Sequence, residues 1–163
     1  MTTFKKVNRF ADRGADAEKA VQKFLTDWGL NTNTRDWARL VDSKAAGRVI
    51  KAAAADFEVY RMDSGTAFDE GPRYACLIEV KETQHDYRID YDRITQMARL
   101  RKRANAGVIC MVVVLHSGTG LWRCLPIEWM LANKVDKGSW DLRKVPTFPT
   151  VEGALHSSYP EFF

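Results

Sequence analysis

The 163 residues amount to 18.6 kDa, with 45% apolar and 28% charged side chains, the profile of one globular domain rather than a disordered or fibrous chain. No uninterrupted apolar run approaches the roughly 18 residues a membrane helix requires. The N-terminus also lacks the apolar core and cleavage site of a secretory signal, so a soluble, cytoplasmic protein without a membrane partner is expected. Lys and Arg total 25 against 21 Asp and Glu, giving a net charge of +4 and a pI near 9.0, which suggests a polyanionic partner without requiring one.

In chain order, Asp16 reads as a helix cap, and Ala17, Ala20, Val21, Phe24, Leu25 and Trp28 follow at helical spacing until Gly29. Glu18 lies on the edge of that apolar stripe, so it points along the core margin. From Trp37 to Lys51 the chain reads as a short strand and a basic loop. Asp56 to Met62 and Tyr74 to Thr83 are rich in β-branched and aromatic residues and read as an antiparallel hairpin with a long connection, Asp63 to Arg73. Helical spacing returns through Ile94, Met97, Ala98, Arg101 and Ala104 and stops at Gly107. Val108 to Leu115 is a continuous apolar run, the pattern of a strand buried on both faces. A strand from Leu121 to Leu125 precedes Pro126 and a helix through Trp129 and Leu131. The tail after Lys137, with Pro146, Pro149 and Pro160, reads as irregular and draped over the surface. Cys76, Cys110 and Cys124 are odd in number and embedded in apolar segments, as core thiols rather than disulfide or zinc partners. The order of elements predicts an α/β fold, a mixed central sheet flanked by helices, within a single domain spanning residues 1–163.

Charge is unevenly distributed. Residues 1–55 carry 11 basic and 6 acidic side chains, residues 56–90 carry 4 and 9, and residues 91–163 carry 10 and 6. Carboxylates suit a cation and basic flanks suit phosphates. Within the acidic centre, Glu79 and Lys81 project to the same side of one strand. Pairing of the two hairpin strands brings Asp56 close to Glu79. An isolated Glu-x-Lys on a strand is ordinarily a solvated ion pair of little energetic value, but this one sits in an apolar strand beside a second carboxylate. Two carboxylates that close repel unless a cation neutralises them, and hard oxygen ligands with open positions select Mg²⁺, or Mn²⁺ in its place. Asp56 and Glu79 are the candidate metal ligands and catalytic acids. Lys81 is placed to orient a water and stabilise phosphate charge, and Glu18 is a candidate third carboxylate for metal and catalysis.

Asp56 followed after a hairpin by Ile78-Glu79-Val80-Lys81 resembles the active-site motif of the PD-(D/E)XK nuclease superfamily. Glu79-Val80-Lys81-Glu82-Thr83, a helix bearing Gln96, and Ala106-Gly107-Val108-Ile109-Cys110 are more closely similar to RecU-type Holliday junction resolvases, as are Arg13-Gly14 and Glu18 near the start. The resemblance spans residues 9–131. It implies a restriction-endonuclease-like core and a homodimer that hydrolyses opposed strands of four-way junctions in branched DNA during recombination and repair. The stalk of that family is represented here only by the short basic stretch Asp42 to Ala55, a variant that would suit a phage-encoded enzyme. The alternatives are a restriction or repair nuclease acting on other DNA and a DNA-binding protein without catalysis.

Two basic patches are candidate DNA contacts: Arg39, Lys44, Arg48 and Lys51, and the helical run Arg93, Arg99, Arg101, Lys102 and Arg103. Gln96 joins them through the resemblance. His85, His116 and His156 show no ligand spacing and are expected in surface or structural roles, and Trp122 and Trp129 in core or dimer packing.

Overall fold

The computed structural model describes residues 9–30, 34–40, 53–62, 73–85, 87–134 and 138–163. In chain order these form helix α1 (Arg9–Gly29), strands β1 (Arg35–Arg39), β2 (Phe57–Met62), β3 (Arg73–Thr83) and β4 (Arg88–Asp90), a 3-10 turn (Tyr91–Arg93), helix α2 (Met97–Ala104), strands β5 (Ile109–His116) and β6 (Leu121–Pro126), helix α3 (Ile127–Ala132), strand β7 (Ser139–Asp141) and helix α4 (Val151–Ser158). Lys44, Arg48 and Lys51 lie outside the described residues, as does nearly all of the 63–73 connection.

Among the described residues the main sheet has five strands in the order β1-β2-β3-β5-β6. The β1–β2, β2–β3 and β5–β6 pairs are antiparallel, and β3–β5 is parallel. A parallel pair needs a crossover, and the segment carrying β4 and α2 supplies it. The predicted α/β class with a mixed sheet is present. Period-two alternation divides the core. Cys76, Ile78 and Val80 of β3 join Val21 and Leu25 of α1 and Leu155 of α4 on one face. Leu77 joins Leu100 of α2 and Met130 of α3 on the other, and Glu79 and Lys81 follow Leu77 onto that second face. All three cysteines are buried thiols, and burial pushes Cys110 up to about 11 and Cys124 up to about 12, which makes them poor nucleophiles.

Several boundaries depart from the pattern reading. Helix α1 begins at Arg9, so Asp16 lies inside it and pairs with Lys19 at 3.6 Å instead of capping. Ala11, Ala15 and Ala17 are strong helix formers, and the one intervening Gly14 costs only about 1 kcal/mol. Helix α2 is shorter than predicted because Ile94, buried in the core, caps the 3-10 turn before it and the helix starts only at Met97. Gly107 stops that segment as expected, its φ of 86° lying in the left-handed region.

The largest correction concerns the tail, which is not draped over the surface. Strand β7 pairs with β4, inserting Trp140 and then Leu142 into the core. Trp122 and Phe148 exchange backbone hydrogen bonds of 2.7 and 2.8 Å, covering the outer edge of β6. Thr150 caps α4 by accepting from the Gly153 amide, and Val151, Ala154 and Leu155 pack on the sheet. Phe162 stacks on Trp28 at 6.1 Å, and the Trp28 indole N–H donates to the Phe163 carbonyl at 3.1 Å. The prolines that suggested irregularity bracket a helix whose apolar residues are buried.

Leu155→Ala should therefore lower unfolding stability by about 2–5 kcal/mol, since Leu155 is 0% exposed. Leu131→Ala, at a residue 38% exposed, should cost far less. Urea denaturation of the two variants checks this.

Candidate functional site

The β2–β3 ladder ends at the Phe57–Ile78 pair. One residue earlier, the Asp56 amide donates to the Ile78 carbonyl at 3.1 Å, and the Asp56 carbonyl accepts from the Leu40 amide at 2.8 Å. The Asp56 backbone is thus clamped between β1 and β3. The Val80 amide lies beyond the last registered pair, and the Asp56 carboxylate takes the place of a strand there, its Oδ2 accepting from Val80 N at 2.7 Å. The hairpin predicted from sequence therefore delivers a carboxylate to the backbone between Glu79 and Lys81.

Glu79 is 0% exposed. Its Oε1 accepts from the Lys81 ammonium, while Oε2 is buried with no hydrogen-bond partner. Burial first, and then the Asp56 charge, push the Glu79 carboxyl from its ordinary 4.5 to about 7. The Lys81 charge and its hydrogen bond pull the other way, and Glu18 adds a further push upward. Asp56, Lys81 and Glu18 thus all lie near enough to Glu79 to act on its carboxyl.

A cleft of about 350 Å³ opens beside this spot, its wall including Glu18, Lys81, Glu82, His85, Asp90 and Arg93. Arg93 donates to the Glu82 carbonyl at 3.0 Å, fastening the 3-10 turn to the end of β3. Glu18, on the core margin as read from the sequence, is ion-paired with Arg39. Arg39 thus has a carboxylate partner, although its side chain remains 58% exposed. Arg99 donates to the Ala53 carbonyl at 3.1 Å, docking α2 against the residues that lead to Asp56, and Arg101, Lys102 and Arg103 are exposed. Gln96 stands at the start of α2, its Oε1 accepting from Thr95 at 2.8 Å, and it is not among the residues of the cleft wall.

Spacing did not reveal the histidine network. His116 is buried, and its Nδ1 lies 2.9 Å from the His85 carbonyl. Nδ1–H therefore donates, leaving Nε2 to accept from Arg123. Arg123 also donates through Nε to the Val145 carbonyl at 3.1 Å. This relay ties the cleft-lining 84–85 segment to β5, β6 and the tail. His85 is exposed on the cleft, and His156 lies 3.9 Å from Glu152. Trp122 is buried in the core, and Trp129, half-buried, packs against it.

Among the described residues, no three His, Cys, Asp or Glu side chains form a ready-made metal cage. The donor set nevertheless fits a hydrated divalent cation, which keeps several waters and takes only one or two carboxylates. The buried, partnerless Glu79 Oε2 and the neighbouring Asp56 carboxylate are the hard oxygens that could hold it. An unpartnered carboxylate oxygen at such depth carries a desolvation penalty that a cation would relieve.

No protein-family model matches the chain, and no curated protein does. Among solved structures, the chain is similar to Hjc, a Holliday junction resolvase from the archaeal hyperthermophile Archaeoglobus fulgidus, with 14% identity and a TM-score of 0.47 over 93% of this chain and 98% of that one.

The raised Glu79 carboxyl makes stability depend on pH without metal. Between its ordinary 4.5 and about 7, the folded chain binds more protons than the unfolded one, so stability falls as pH rises across that interval. The loss should be on the order of 3 kcal/mol, and Glu79→Gln should remove most of it. Guanidinium unfolding at pH 5 and pH 8, with divalent cations chelated, checks both.

Proposed function

We infer that the chain is a divalent-metal-dependent endodeoxyribonuclease that cuts branched DNA, a Holliday junction resolvase of RecU-like type. One observation carries this reading: Lys81 is ion-paired with the buried Glu79, beside an Asp56 carboxylate held by the Val80 amide. This is the arrangement that the resemblance to the PD-(D/E)XK motif implies, and the mixed sheet with helices on both faces suits it.

In this reading Asp56 and Glu79 hold Mg²⁺, or Mn²⁺, with Glu18 at the margin as an accessory acid. A metal bound there would lower the pKa of a coordinated water and polarise the phosphoryl oxygen. Lys81 orients the attacking water and stabilises charge on the scissile phosphate, an electrostatic role strengthened by the low-dielectric setting. Arg99, Arg101, Lys102 and Arg103 on α2 hold the DNA backbone independently of sequence. Arg93 lines the cleft with Lys81 and contributes a further phosphate-binding cation. Two copies of the chain would cut the two opposed strands of a junction.

With Mg²⁺, purified protein should nick a mobile four-way junction and leave linear duplex of the same sequence largely intact. Asp56→Asn should lower cleavage by roughly 100-fold or more. Equal cutting of both substrates would remove junction selectivity, and undiminished cutting by the variant would remove the site. Replacing both Arg101 and Lys102 with Ala should weaken junction binding in the presence of Ca²⁺ and flatten its logarithmic salt dependence, by about 0.9 for each phosphate no longer neutralised. Binding isotherms over a salt series measure that slope.

A further inference from the structure

The pocket assigned above to a divalent cation already holds a cation of the chain's own. The Lys81 ammonium donates to Glu79 Oε1, and the two side chains differ sharply in access, 18% exposed for Lys81 against 0% for Glu79. Lys81 forms part of the cleft wall and Glu79 does not, so an ion entering by the cleft meets the ammonium first. The Asp56 carboxylate is held by the Val80 amide, which leaves Lys81 as the charge partner that can move. Its long, flexible stem and compact charge suit it to exchange one partner for another.

We propose that metal loading is a cation exchange: a divalent ion takes the Asp56–Glu79 carboxylates as the Lys81 ammonium leaves Glu79 and turns into the cleft. This rests on the reading of that pocket as a metal site and deepens it, because the exchange would present Lys81 to a substrate phosphate only when the metal is in place. Two carboxylates neutralise one divalent ion, so the lysine has no electrostatic reason to stay once the ion arrives. Conversely, while Lys81 sits on Glu79 it competes with the metal. If the competent state is about one-tenth populated, apparent affinity falls about tenfold.

The test is Mn²⁺ binding in the absence of DNA, followed by the paramagnetic resonance signal of free Mn²⁺. Lys81→Met should bind Mn²⁺ about tenfold more tightly than the wild type, and adding Glu79→Gln should abolish the gain. Unchanged or weaker affinity in Lys81→Met would overturn the exchange while leaving a metal site that wild-type binding demonstrates. Absence of Mn²⁺ binding in both proteins would overturn the metal reading as well.

Because Lys81→Met leaves Glu79 without its partner and can compromise folding, the wild type supplies a second measurement. Acetylation of Lys81 by an amine-reactive reagent, quantified by mass spectrometry against the exposed Lys19, should accelerate when Mn²⁺ is added. An equal rate with and without Mn²⁺ would overturn the proposal.

Discussion

Glu79 is a carboxyl group buried on the face of a mixed sheet, and much of the surrounding structure answers the cost of putting it there. Full ionisation in that position is opposed by burial and by Asp56, and is supported by the Lys81 ammonium. A hydrophobic residue of similar size would satisfy the sheet without any of these compensations. The arrangement instead keeps one carboxylate oxygen buried and without a partner, which is useful to a site that must accept a cation and wasteful to a purely structural strand.

The strand order supplies the geometry. Strand β3 is central, with β2 on one side and β5 on the other, and β5 pairs with the Glu79–Lys81 segment along its length. The β2 ladder stops just short of Val80, and Asp56 occupies the gap. Regular strand pairing thus places both carboxylates, and the lysine has the longest and most flexible stem of the three side chains. The crossover from β3 to β5 builds the cleft, with Arg93 fastened to the end of β3 and His85 fastened through its carbonyl to His116. The tail contributes from the far side, since Arg123 reaches both His116 and the Val145 carbonyl.

Much of this was legible in the residues because the signals were strongly periodic. Alternation along Ile78 to Lys81 placed Glu79 and Lys81 on one face, and the hairpin pattern brought Asp56 to their strand. The apolar run at Val108 to Leu115 announced the buried β5. What escaped the reading was short or long-range. Strands β4 and β7 have three residues each, too few to show a period, and their pairing hid Trp140 and Leu142 in the core. Pro146 and Pro149 suggested an irregular tail where Thr150 in fact caps a helix. The pairing of Arg39 with Glu18 joins β1 to α1 across the fold and has no local signature. The same holds for His116 and Arg123, which sit on neighbouring strands and carry no local signature of their contact.

Whether the buried Glu79 serves a metal is decided by the location of a divalent ion in a crystal of the wild-type protein soaked in Mn²⁺, read from its anomalous scattering. One strong peak is expected between the Asp56 and Glu79 carboxylates, with the Lys81 ammonium no longer bonded to Glu79. No peak there, with Lys81 still seated on Glu79 at saturating Mn²⁺, would contradict that role.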